Sequence, residues 1–495
     1  MIKKLYCATI SGLDAKIIEV EVNVSSGLPN LVIVGLADTA IRESKERIRG
    51  GIKNSGWQFP LARISVNLAP ANIFKYGTQF DLPIALGMLL CTDQAEFGTD
   101  KSLFLGELSL GGQIRPVRGV LAMVLAARQA GFTEILLPMA NFAEAALVKN
   151  IKIVAINCLA DVISYFKGGY GFTADAARVK IKKFSEFDFA DIAGQDFAKR
   201  GIEIALAGSH NILLEGPPGA GKTMLAKAAS GLLPEMNEQQ LLQCVKIYST
   251  GGGYDPENFF VPFRSPGQNI SISSFTGGGR IPKPGEMSLA HNGILFMDEF
   301  PEYRREIIES LREPLESGYV KIFRSDANYI FPASFILIAA QNPCPCGYYG
   351  SEIRNCTCSA GQVSMYKRRV SGPVLDRIDL QVAVQRADLF AGRHGSEASD
   401  VVAARIAQAR TIQENRQGGR PNSRIKPKEL PEICRLDAAS KELLKSAADK
   451  MHFSARSVHR VLKVARTIAD LSAQINIKAE NLAEALQYRL GTDTE

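Results

Sequence analysis

The eight residues from Gly216 to Thr223, GPPGAGKT, constrain this chain more than any other stretch, because an apolar run, NILLE, precedes them and a helical pattern, KTMLAKAA, follows. Glycines at 216, 219 and 221 let the backbone curl with its N–H groups facing inward, and a helix opening there adds the positive end of its dipole. Such a cradle holds a polyphosphate. Lys222 is placed to neutralise the β- and γ-phosphates and Thr223 to hold Mg²⁺, so ATP and Mg²⁺ are the expected ligands. Strand, loop and helix in that order also call for a parallel α/β sheet around them.

Two more apolar runs end on the residues that such a site needs. GILFMDEF buries a strand and presents Asp298 and Glu299 at its carboxyl end, where Asp298 suits the Mg²⁺ shell and Glu299 a base that orients the attacking water. SFILIAAQNP ends on Gln341 and Asn342, an amide pair able to sense a γ-phosphate, although a turn before Pro343 explains the same residues. VLDRIDL carries Arg377 between acidic neighbours. A helix opening at Ser454 puts Arg456, Arg460 and Lys463 on one face, opposite Val458, Val461, Leu462, Ala465 and Ile468; a basic face of this kind is usually only solvated.

At 495 residues the chain exceeds one hydrophobic core. Alternating runs (KIIEVEV, NLVIVGL, RISVNLA, EILLP, IKIVAI) with helical stretches at 38–55 and 120–131 predict an α/β or α+β domain over 1–166. A glycine- and lysine-rich linker spans 167–191, a parallel-sheet α/β unit 192–387, and a helical domain 388–495. A net charge of +7 permits nucleic-acid contact without demanding it. The N-terminus lacks a secretory pattern and no run of 18 apolar residues occurs, so the expected location is cytoplasmic, without a membrane partner.

In that compartment the nine cysteines are expected to be reduced, which draws attention to Cys344, Cys346, Cys356 and Cys358, two C-x-C pairs nine residues apart. Four thiolates on a glycine-containing loop can converge on a tetrahedral Zn²⁺ as a structural staple; the competing reading is four reduced thiols, and the spacing is not that of a ferredoxin cluster. Two basic segments are candidates for nucleic-acid contact. One is a β-hairpin over 316–335, with a turn from Ser325 to Asn328 and with Lys321 and Arg324 near it. The other is the glycine- and proline-rich insert 248–290, with Arg264, Arg280 and Lys283. Ordinary solvated charge accounts for them equally well.

Taken together, GLPNLVIVGLADTAIRESKERIR, ISVNLAPAN, FDLPIALG, GPPGAGKT, PGEMSLAHNGILFMDE, AAQNPCPCG, GPVLDRIDL and ARTIADL span nearly the whole chain. In them the chain resembles the magnesium-chelatase-like AAA+ ATPases of the ComM/YifB group, bacterial proteins linked to DNA uptake and recombination. The resemblance implies that Lys222 and Thr223 are Walker A, Asp298 and Glu299 Walker B, and Asn342 sensor 1. Arg377 then looks like an arginine finger for a neighbouring subunit's ATP, and Arg456 like sensor 2. It further implies a homo-hexameric ring, single-stranded or branched DNA as partner, and recombination proteins nearby. LGELSLGGQIRPVRG with VLAMVLAARQAGFTEILLP is similar to the proteolytic domain of Lon, but the serine and lysine positions fall at Gln79 and Leu121, so protease chemistry is not expected. The family's His-His pair is replaced here by Gly267 and Gln268. Three readings are weighed: a DNA translocase or branch-migration helicase, a chelatase-type ATPase that remodels a protein partner, and a non-catalytic scaffold. The complete acidic, amide and arginine set weakens the last.

Overall fold

Alternating burial along DAKIIEVEVNVS, with Ile18, Val20 and Val22 buried and their neighbours less so, makes Asp14–Ser25 a strand with one face inward. It pairs antiparallel with Ile2–Ser11 across a tight turn, where Gly12 takes a φ of 67°. The computed structural model describes residues 2–170, 185–279, 281–324, 327–351, 354–386 and 397–489. Most of the expected linker, Arg280, and Ser325 and Asp326 of the expected hairpin turn lie outside them.

The chain divides into two compact units: Met1–Lys180 with Glu238–Phe259 and Arg280–Pro284, and Ile181–Asn237 with Phe260–Gly279 and Gly285–Glu495. The first is built on a seven-stranded mixed sheet in the order Asn30–Val34, Arg63–Ala69, Asp14–Ser25, Ile2–Ser11, Ser102–Phe104, Glu134–Pro138, Lys152–Ile156. Helix Asp81–Cys91 is buried on every side, as its sequence DLPIALGMLLC dictates, since apolar residues circle it rather than forming a stripe. A Cβ at Gly87 would stand 2.5 Å from Val22 Cγ2, so glycine sets how closely this helix approaches the sheet.

Gln79 and Leu121, the two residues on which the expectation of no protease chemistry rests, are both buried. The Gln79 amide donates to the carbonyls of Ala8 (3.1 Å) and Tyr76 (2.7 Å). Helix Glu238–Gly251 follows the phosphate loop in sequence yet belongs to this first unit. Its Ser249 hydroxyl donates to the buried Glu144 carboxylate, the Gly119 N–H reaches the Ser249 carbonyl at 3.2 Å, and Lys246 pairs with Asp14 at 2.6 Å.

The second unit is a mixed α/β body around five parallel strands, ordered Phe263–Arg264, Ile294–Met297, Ile336–Gln341, Ile212–Glu215, Leu380–Ala383. Helices cover both faces, so the central strands are near-continuous apolar runs. Its C-terminal part is helical: Ser399–Gln417, Ala438–Lys450, Ala455–Leu471 and Ala479–Gln487. Ser454 caps the third of these, accepting from the Ser457 N–H at 3.2 Å.

The basic face of that helix is exposed at Arg456 but packed at Arg460 and Lys463. Arg460 is buried 3.8 Å from Asp379, and Lys463 donates to the Ser423 carbonyl at 2.9 Å. Two turns on from Lys463, wholly buried Asp470 gathers Arg416 (2.7 and 2.8 Å), Asn422 (2.8 Å) and Arg466 (3.1 Å), which satisfies a charge that burial alone would make costly. No helix among the described residues is long and apolar enough to cross a membrane.

Candidate nucleotide and metal sites

Strand Ile212–Glu215 lies between Ile336–Gln341 and Leu380–Ala383, so the loop after it emerges at the carboxyl edge of the sheet beside the ends of both neighbours. Gly216 must be glycine, because a Cβ there would stand 2.1 Å from the Val384 carbonyl oxygen. Gly219 and Gly221 adopt φ of 75° and 89°, and the helix Lys222–Leu232 begins immediately after them. The Lys222 side chain turns back into the loop: its amine donates to the carbonyls of Gly216 (2.6 Å) and Pro217 (3.0 Å) and to Asn342 Oδ1 (3.1 Å). Burial lowers its pKa, a desolvation that an anionic ligand would offset.

Two hard oxygens meet beside it. Thr223 Oγ1 donates to Asp298 Oδ2 at 2.8 Å, while Asp298 Oδ1 accepts from the Glu299 N–H at 2.9 Å. Neighbouring oxygen ligands of an octahedral Mg²⁺ lie about 2.9 Å apart, so the pair fits such an ion. Glu299 itself sits at a φ of 51°, left-handed backbone that a non-glycine residue adopts at a cost of roughly 1–3 kcal/mol and that turns its carboxylate out of the strand direction.

That carboxylate accepts from the Gln268 side-chain amide. The loop carrying Gln268 is clamped on both sides: the Tyr303 hydroxyl donates to the Pro266 carbonyl and Arg304 to that of Ile270, each at 2.5 Å. Gln341 bonds Glu215 at 2.6 Å, leaving Asn342 as the amide that reaches the phosphate loop.

Arg377 and Arg456 also come together, but elsewhere. Both guanidiniums meet the carboxylate of Glu316, Arg456 at 3.1 Å, and neither makes a hydrogen bond or ion pair to the phosphate-loop residues among those described. Arg377 lowers the Glu316 pKa, with Arg456 adding to the effect. Nothing in REPLESGYV singles out Glu316 from sequence, since its partners lie 61 residues away and farther.

The four cysteine sulfurs lie within 4.8 Å of one another, with Cys344–Cys346 at 3.4 Å, Cys344–Cys356 at 3.7 Å and Cys346–Cys356 at 3.5 Å. Sulfurs about 2.3 Å from a tetrahedral Zn²⁺ would stand about 3.8 Å apart, so the cluster fits that ion. Backbone N–H groups of Tyr349 and Cys358 donate to Cys344 Sγ and Cys356 Sγ at 3.3 and 3.4 Å. Within the same loop, Gly347 (φ 84°) presses on the phosphate loop, where an added Cβ would lie 2.5 Å from Pro218 Cδ and 3.8 Å from Asn342 Cγ.

The hairpin is present as Tyr319–Phe323 paired with Asn328–Pro332. Lys321 sits 5.1 Å from the Tyr319 ring centroid and 3.8 Å from Glu313, and Arg324 donates to the Gly279 carbonyl. Arg264 lies on the edge strand with both arms on Glu286, at 2.6 and 2.7 Å. Lys283 is exposed, and Arg280 is outside the described residues.

Three family models match the chain. The one described as magnesium chelatase, subunit ChlI covers residues 188–390, that of subunit ChlI of Mg-chelatase residues 20–141, and that of the ChlI C-terminal region residues 396–489. The chain is 40% identical to the competence protein ComM of Haemophilus influenzae, over 98% of this chain and 97% of that protein. It is 39% identical to YifB of Salmonella typhimurium, over 97% and 95%. Against the magnesium-chelatase 67 kDa subunit of Chlorobaculum parvum the identity is 23%, over 31% of this chain and 23% of that one.

Proposed function

The chain belongs to the magnesium-chelatase-like AAA+ ATPases of the ComM/YifB group, and from that premise we propose that it is an ATP-driven DNA translocase, working as a homo-hexameric ring that moves branched or single-stranded DNA during recombination or natural transformation. One observation carries the reading. Lys222 and Thr223, at the start of the helix after the loop, and Asp298, Glu299 and Asn342, just past the ends of two neighbouring parallel strands, converge on the phosphate cradle with their partners already in reach. A competence role rests on the name of the Haemophilus relative, and the DNA substrate on the resemblance and on the exposed basic residues of the hairpin and insert.

In this reading the loop N–H groups and Lys222 bind the triphosphate, Asn342 orients Lys222 against the γ-phosphate, and Thr223 with Asp298 holds Mg²⁺. That ion, when bound, offsets charge on the phosphate oxygens. Glu299 takes a hydrogen bond from the attacking water and draws it into line. Arg377 and Arg456, paired with Glu316 rather than with their own loop, reach a neighbouring copy's phosphates, which makes turnover depend on assembly. The four thiolates hold one structural Zn²⁺. The first unit is a Lon-like domain without protease chemistry, and the protein works in the cytoplasm alongside recombination proteins.

A junction-unwinding assay with and without ATP tests this directly, together with ATP turnover against single-stranded, branched and no DNA. The motor reading expects stimulation that weakens steeply as salt rises; turnover indifferent to every DNA form rejects it. Indifference to DNA together with stimulation by a protein would favour the alternative that the ChlI-type matches support, a remodelling ATPase acting on a protein partner.

A further inference from the structure

Three arginines from distant parts of the second unit converge on one glutamate. The Glu316 carboxylate accepts from Arg377, in the segment after the short helix Gly372–Leu375, and from Arg456, in the first turn of Ala455–Leu471, at 3.1 Å. Its backbone carbonyl accepts from Arg424 at 2.8 Å.

Glu316 also stands at the root of the hairpin. Helix Arg312–Ser317 ends there on Gly318 at φ 80°, the Ala333 N–H returns to the Gly318 carbonyl at 2.8 Å, and the strands Tyr319–Phe323 and Asn328–Pro332 leave from that closure. A Cβ at Gly318 would lie 3.4 Å from Arg424 Nη2, so the root is held close on that side as well.

The charge balance makes this contact exchangeable. One carboxylate faces two guanidiniums; the Glu316 side chain is 57% and Arg456 45% exposed, so their pair is screened by solvent and weak, while Arg377, 17% exposed, is the more sheltered partner. Arg377 Nε is buried without a partner, so this guanidinium has a donor to spare. A phosphate offers more charge and more oxygens than one carboxylate, and two guanidiniums fixed side by side present the fork that binds it.

We propose that Glu316 is a positioning residue that links the nucleotide to the hairpin: it keeps Arg377 and Arg456 paired, and gives up the hairpin root when a neighbouring copy's triphosphate takes the two arginines. The inference rests on the reading that these arginines serve the adjacent protomer. It assigns the hairpin a mechanical role that does not need Lys321 or Arg324 to touch anything.

Hydrogen–deuterium exchange on the full-length protein carrying Glu299→Gln, with and without ATP, tests it. Binding should raise exchange in the strands Tyr319–Phe323 and Asn328–Pro332 by about threefold, the order expected when ion pairs at a surface are given up. Adding Glu316→Gln should raise exchange before any nucleotide is present and abolish the response. Glu316→Asp, which keeps the charge but shortens the reach, should leave a reduced response, and it decides the matter if the glutamine variant does not fold. An unchanged hairpin on ATP binding, or a full response in either Glu316 variant, overturns the proposal. ATP turnover blind to DNA alongside an intact hairpin response would sink the motor reading alone; DNA-stimulated turnover with an unresponsive hairpin would sink this one alone.

Discussion

Gln268 donates its side-chain amide to the carboxylate of Glu299, across 31 residues of sequence, from a loop that Tyr303 and Arg304 clamp on either side. The amide fixes the orientation of the carboxylate. Replacing it with a second carboxylate removes the donor and puts like charges in contact, which would push Glu299 out of line. In Gln268→Glu kcat should fall about tenfold or more with ATP affinity little changed. A kcat equal to the parent's would show that the contact plays no part in turnover.

Glu299→Gln should separate binding from hydrolysis. With the cradle and the Thr223–Asp298 pair intact, ATP still binds, while turnover falls about 10²- to 10⁴-fold, the usual contribution of a positioned base. Equilibrium binding of a fluorescent nucleotide beside a phosphate-release assay reads both; near-normal turnover would remove Glu299 from its role. Lys222→Ala should lose binding itself.

Arg377→Ala should leave ATP affinity unchanged and reduce turnover of the assembled protein by about 10³-fold or more, as loss of a finger arginine does. The informative control is mixing: inactive Arg377→Ala added to inactive Lys222→Ala should restore some turnover, because each then supplies what the other lacks. No recovery in any mixture would argue against a finger supplied by the neighbour.

Metal analysis of the purified protein should find one zinc per chain. Cys346→Ser should lose it, and because Gly347 of the same loop packs on Pro218 and Asn342, ATP affinity should weaken in the same variant. Zinc-free protein with normal nucleotide affinity would confine the cluster to a local role.

His291 gives a pH prediction. Burial pushes its pKa down to about 4, and its Nδ1 accepts the Ser334 N–H at 3.0 Å, which requires the neutral ring. The unfolded chain therefore binds the proton first as pH falls from about 6.5 toward 4, so stability present at neutral pH is lost across that window, by about 3 kcal/mol at most. His291→Gln, which keeps an acceptor and does not titrate, should flatten the fall in melting temperature between pH 7 and pH 5; an unaltered slope would clear His291.

How much of this could be read from residues alone depended on distance along the chain. The phosphate loop is legible because glycine spacing, strand and helix are contiguous, and Asp298, Glu299 and Asn342 because each ends a long apolar run. The strands Phe263–Arg264 and Leu380–Ala383 are too short to show a period. Glu316 could not be found because its meaning lies in side chains far along the sequence. The face of Arg456, Arg460 and Lys463 misled for a related reason: Asp379 and Ser423, which take up the last two charges, are invisible to a helical wheel.

Helix Glu238–Gly251 completes a unit whose seven-stranded sheet lies wholly before residue 157. A ribosome making this protein must therefore lay down the phosphate loop before it can supply the cover for Glu144 and for the backbone at Gly119. The two units are not cassettes that evolution or an engineer can exchange at one junction. A fragment cut at the obvious boundary near residue 180 would carry an ionisable group stripped of its hydroxyl partner, and would be a poor stand-in for the domain it was meant to represent.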